Sequence, residues 1–140
     1  MRPNNWDLVK HALRALRELW KYVYGTYGLI LDEDIVRRKE VQYPNQIKKY
    51  LSAIMTYLGQ RTVDCIGLFK SFLWWNDGKI KYDKNTDLSA NGTFNAATEK
   101  GPISQLPELP GLGLWRDGHV GIYIGNGQVV GAKGTLHGVI

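Results

Sequence analysis

The chain has 140 residues, 44% hydrophobic and 22% charged, with one cysteine, which fits one domain spanning 1–140 and excludes an internal disulfide or a Cys-rich zinc site. No run approaches the roughly 20 apolar residues that a spanning helix needs, and charge breaks Trp6-Asp7-Leu8-Val9 before it can act as a secretory signal core. A net charge of +5 and a pI of about 9.3 suit an anionic partner (nucleic acid, a membrane surface, a cell wall) or a plain basic surface, and charge alone does not choose.

Asn5 to about Tyr24 reads as an amphipathic helix, with Val9, Ala12, Leu13, Leu16, Leu19 and Trp20 in one stripe. Lys10, Arg14, Arg17 and Lys21 share another face, either a solvated surface or an attractor for a polyanion. Gly25 and Gly28 stop the helix, and Tyr22, Tyr24 and Tyr27 edge the core or line a polar cleft.

Asp32 to Glu40 is a second helix, acidic at its start and basic at Arg37-Arg38-Lys39. A third starts near Pro44, presents Ile47, Tyr50, Leu51, Ile54, Tyr57 and Leu58, and closes at Gly59. The fourth, Cys65 to Trp75, is capped by Asp64 and carries Leu68, Phe69, Phe72 and Leu73 at helical spacing. A thiol at that position faces unpaired N–H groups and the positive end of the helix dipole, both of which favour the thiolate.

Asn76-Asp77-Gly78 is a turn, and from there to Pro110 little periodicity is visible. Asn91-Gly92, Gly101-Pro102, Pro107 and Pro110 punctuate this loop, whose length marks it as functional. Leu112 to Trp115 is a short strand and His119 to Ile124 a longer one of period two. Gly125-Asn126-Gly127 signals a hairpin, Gln128 to Ala132 returns, and Leu136 to Ile140 begins another strand, so a chain truncated at its C-terminus is expected. Helices followed by antiparallel strands argue an α+β fold.

A lone cysteine is more often a buried small hydrophobe than a nucleophile, and a lone strand histidine more often a satisfied polar group than a base. Cys65 and His119 gain weight as a pair, since a helix-capping thiol and a strand imidazole meet when the helix packs on the sheet. Spacing alone leaves the question open.

Asp64-Cys65-Ile66-Gly67-Leu68, Gly118-His119-Val120-Gly121-Ile122-Tyr123-Ile124-Gly125 and the upstream Tyr22-Val23-Tyr24-Gly25 resemble, in order, the motifs of the NlpC family of papain-like cysteine peptidases. The resemblance implies a papain-like fold, with N-terminal helices on a C-terminal antiparallel sheet. It also implies hydrolysis of amide bonds in peptidoglycan stem peptides, without cofactor or metal, by a monomer that binds neither nucleic acid nor membrane. Cys65 is then the nucleophile, His119 its ion-paired base, and Tyr22 and Asp64 substrate-binding positions, although Asp64 serves first as a helix cap. With no signal core, such a protein stays in the cytoplasm until phage-type lysis, or belongs to a longer exported chain.

Two departures stand out. The segment from Tyr22 to Cys65 is long for the family, with two helices inserted beside the cleft. The polar residue that orients the histidine is replaced by Gly131. A three-residue loop at 125–127 pairs Gly121 with Gly131 and puts position 131 on the face of His119; a two-residue loop pairs Ile122 with Gly131 and separates them. A backbone carbonyl, a water or His137 is left to hold the ring. A catalytically degenerate wall-binding module is therefore the alternative, and a basic nucleic-acid-binding domain a third, which explains the charge but not the motifs.

Overall fold

The computed structural model describes residues 5–97, 100–102, 104 and 108–140. Pro107, named above as loop punctuation, and the leading residues 1–4 lie outside that set. The described residues form an α+β fold with six α-helices and three small sheets. None of these helices is long and apolar enough to cross a membrane.

Helix α1 spans Asn5–Arg17, shorter than the stripe predicts. Leu19 takes a left-handed conformation (φ 54°), Leu19 N–H donates to Leu16 O and Trp20 N–H to Ala15 O, a Schellman closure with leucine where glycine is usual. The reversal drops Trp20 into the core from beyond the helix and leaves Leu19 outside, while Leu8 and His11 take inward positions the stripe omits. His11 Nε2 lies 2.7 Å from Ser71 Oγ, and Ser71 donates to Leu68 O, so the ring donates to the hydroxyl. Burial, with Arg14 and Arg61 nearby, pushes the His11 pKa down to about 4 and keeps the ring neutral.

The chain then enters a sheet absent from the sequence reading. β1 (Lys21–Tyr22) runs parallel to β3 (Arg61–Val63), and β2 (Tyr27–Ile30) pairs antiparallel on the other side of β3. Strands of two to four residues carry too little period to be read, and tertiary pairing defines them. Helices and strands are therefore interleaved rather than in two blocks.

Between β2 and β3 lie α2 (Glu33–Gln42), capped by Asp32, α3 (Pro44–Lys49) and α4 (Leu51–Met55). The expected single third helix breaks at Tyr50 (φ −119°), and both pieces deliver an isoleucine, Ile47 and Ile54, to one cluster with Val23, Leu31, Ile35 and Val36. Helix α5 (Cys65–Leu73) and α1 share the other main cluster with Val63, Ile122, Val130 and Val139.

The hairpin of β4 (Trp75–Asn76) and β5 (Lys79–Ile80) turns at Asp77-Gly78, both at positive φ. The expected loop beyond it holds a 3₁₀ turn at Lys84–Thr86 and helix α6 (Ala90–Ala96). Ser89 caps α6 through Gly92 N–H, so Asn91-Gly92 opens a helix instead of marking a turn. The last sheet is β6 (Gly113–Arg116), β7 (His119–Gly125) and β8 (Gln128–Val130), in that order and antiparallel. Its β7–β8 loop is the two-residue Asn126-Gly127, both at positive φ, but a register shift between Tyr123 and Gly125 restores the pairing of the longer loop, Ile122 with Val130. Past β8 only an isolated bridge, Ala132 with Val139, continues the pairing.

Candidate active site

Asp64 builds one side of the site. Its Oδ1 accepts the Gly67 N–H at 2.6 Å, closing the first turn of α5, and its Oδ2 accepts the Gly25 N–H at 2.9 Å, tying the Tyr24-Gly25 turn to the same point. Burial pushes the carboxyl pKa up while both N–H groups pull it down. Each oxygen is thus engaged by backbone, which makes Asp64 a cap and clamp. Gly67 is required beneath it: a Cβ there would sit 2.0 Å from Thr26 O. Thr26 O also accepts the Asp64 N–H at 3.0 Å, so the helix start rests directly on that turn.

Tyr22 pairs in register with Val63, two residues before Cys65. Burial first, then the charges of Asp64 and Cys65, raises its phenol pKa and keeps it a hydrogen-bond donor. Tyr22, Asp64 and Cys65 are therefore close neighbours.

Cys65 is half-buried against Ile66, Phe69, Ala90 and Val120. Its Sγ lies 3.8 Å from Gly118 O, the carbonyl just before His119, and is also approached by the N–H of Val120, just after it. The thiol therefore docks on the strand backbone on both sides of His119. Burial and the Asp64 charge push its pKa up, outweighing the N–H groups of Val120, Ile66 and Cys65 itself. This reverses the expected activation: a helix start lowers a thiol pKa only where water or a cation also supports the anion.

The imidazole reaches toward the return strand. His119 Nε2 lies 3.8 Å from where a Gly131 Cβ would stand, beside Gly121 and Lys133. Burial, Arg116 and Lys133 lower its pKa. Among the described residues no hydrogen bond joins thiol and imidazole. Both shifts favour neutral forms, so the resting pair is thiol and imidazole instead of the expected ion pair. Gly131 shares the face of His119, as the longer-loop register implies, and supplies no side chain. Its N–H and carbonyl both bond Ile140, and His137 is exposed with its own N–H on Gly134 O.

Asn91 escaped the sequence reading. From α6, its Oδ1 accepts both Trp115 Nε1–H at 2.9 Å and Gly118 N–H at 2.8 Å, and its Nδ2 donates to Asp117 Oδ1 at 2.8 Å. One amide thus pins the turn that presents Gly118 and His119. Phe94 stacks on Trp115 at 3.9 Å and seats the same helix. The Ser89 cap was the legible signal for that helix. No group of His, Cys, Asp and Glu among the described residues is arranged to hold a metal. Compared with protein-family models, curated proteins and solved structures, the chain matches none.

Proposed function

We propose that this chain is a cysteine peptidase of the NlpC, papain-like type that hydrolyses amide bonds in peptidoglycan stem peptides. The observation that carries the reading is the docking of Cys65, at the first position of a capped helix, against the Gly118–Val120 backbone that bears His119. In the catalytic step the imidazole meets the sulfur as a neutral base facing a neutral thiol. Sγ attacks the scissile carbonyl carbon as its proton passes to His119; the C–N bond then breaks and the same proton leaves on the amine. Water attacks the thioester, protonates the departing sulfur through His119 and releases the acid. The Cys65 N–H and, by the motif resemblance, the Tyr22 phenol are assigned as donors to the developing oxyanion. The +5 charge suits an anionic wall, reached after lysis or as part of a longer exported protein.

Mass spectrometry of muropeptides after incubation with purified peptidoglycan tests this. New free amines and carboxyls are expected from the wild type and none from Cys65→Ala, with the fold of both intact by circular dichroism. Equal cleavage by Cys65→Ala would remove the covalent mechanism.

The absence of a side chain at Gly131 and the raised thiol pKa favour a second reading, a wall-binding module with a degenerate site. Sedimentation with peptidoglycan sacculi, equal for wild type and Cys65→Ala and without new amines, selects that reading.

A further inference from the structure

Beside Tyr22 the surface opens into a cavity of about 340 Å³. Tyr22 and Tyr24 form its floor, Asn45, Gln46 and Lys49 from α3 one wall, and Thr135 the other. The far wall is fastened to the inserted helices, since Tyr57 OH donates to Thr135 O at 2.5 Å. The floor is fastened to the thiol: Tyr22 pairs with Val63, and the Tyr24-Gly25 turn hangs from the Asp64 carboxylate. Cys65 does not itself line the cavity; Tyr22 joins the two, lining the cavity and lying close enough to Cys65 to feel its charge, and the residues between Tyr22 and Cys65 that the sequence marks as extra build the cavity's side.

The lining has a defined chemistry. Lys49 is its only charged member among the described residues, exposed, with Nζ 5.4 Å from the Tyr50 ring centroid. Two carboxamides and the phenols supply donors and acceptors, and the aromatic rings supply flat apolar faces. Among the described residues no carboxylate lines it to repel an anion.

We infer that this cavity is a substrate subsite in which Lys49 and the amides of Asn45 and Gln46 hold a free carboxylate of a short peptide while its neighbouring bond lies over Cys65. This rests on the peptidase reading for the identity of the peptide. An exposed ammonium meeting a carboxylate, with amide donors beside it, discriminates against the uncharged amide by up to about fivefold.

The test uses the full chain as Cys65→Ala, which binds without turnover, and titrates it by calorimetry with one stem tetrapeptide in two forms, all carboxyls free or all amidated. The free form is expected to bind about fivefold tighter. Adding Lys49→Met should bring the two forms within about twofold, and Lys49→Arg should keep most of the preference. Lys48→Met, an exposed neighbour outside the lining, should leave it unchanged and so separates a local contact from general surface charge. Equal affinities, a preference that survives Lys49→Met or vanishes equally with Lys48→Met, or binding of neither form overturns the subsite. Cleavage by the wild type without the preference removes the subsite and leaves the peptidase. The preference without cleavage removes the peptidase and leaves the subsite.

Discussion

The two sides of the candidate site are held by unlike means. On the thiol side a single carboxylate clamps two chain segments, a glycine lies against a carbonyl with no room for a methyl group, and Tyr22 is fixed in a strand register. On the imidazole side the backbone is pinned by Asn91, but among the described residues the His119 ring has no hydrogen-bond partner, and its Nε2 faces the bare Gly131. On the proposed peptidase reading, rigid backbone with an unheld side chain is a positioned base left adjustable for a ligand. A nucleophile needs a fixed approach to the carbonyl, whereas a base has to follow a proton from sulfur to nitrogen. On that reading the asymmetry puts rigidity where the chemistry demands it most and leaves the remainder adjustable.

The strongest way to break the comparison is at Gly67. Gly67→Ala drives a Cβ into Thr26 O and is expected to cost about 3 kcal/mol or more, read as a lowered urea midpoint. Asp64→Ala orphans the Gly25 and Gly67 N–H groups and is expected to cost about 2–3 kcal/mol by the same measurement. Stability unchanged in both would show that the thiol side is not the rigid one.

On the imidazole side the effects fall on rate instead of stability. Asn91→Ala should lower kcat by about tenfold with KM little changed and with a melting temperature shift of only a few degrees, since a mispositioned base costs rate. Gly131→Asn, Glu or His has space, because a Cβ there makes ordinary contacts of 3.7–3.9 Å. Each should raise kcat/KM severalfold by holding the ring; no gain in any of the three would show that another group already does so.

The pH profile sharpens the same contrast with the smallest change. The base must be neutral, and burial, Arg116 and Lys133 lower the His119 pKa, so activity is expected to persist as pH falls below 6.5 and to be lost only on passing the lowered value. In Gly131→Glu a carboxylate beside the ring favours the imidazolium and moves that acid limb upward. On the thiol side, iodoacetamide should react slowly with Cys65 at pH 7 and accelerate only above the ordinary thiol range of about 8.5. Fast alkylation below pH 7 would mean that the resting pair is ionised after all.

Much of this was written locally. Asp64 and Asp32 announced their helices by capping, Pro44 opened a helix, and Asn126-Gly127 demanded a turn of positive φ, because each effect acts within a few residues. The α+β class followed from the order of such elements, whereas Tyr22 was placed beside Asp64 and Cys65 only by the motif resemblance. Other features were decided by tertiary contact. The parallel pairing of β1 with β3 joins residues about forty apart, Leu19 accepts a glycine conformation so that Trp20 can be buried, and α6 forms from a stretch poor in helix formers because it packs on Trp115. The direction of the His119 ring and the raised thiol pKa belong to this second group. Sequence specifies which side chains stand at a helix start or on a strand, but the solvation and charge around them come from segments brought in by folding, and those set the protonation of the pair.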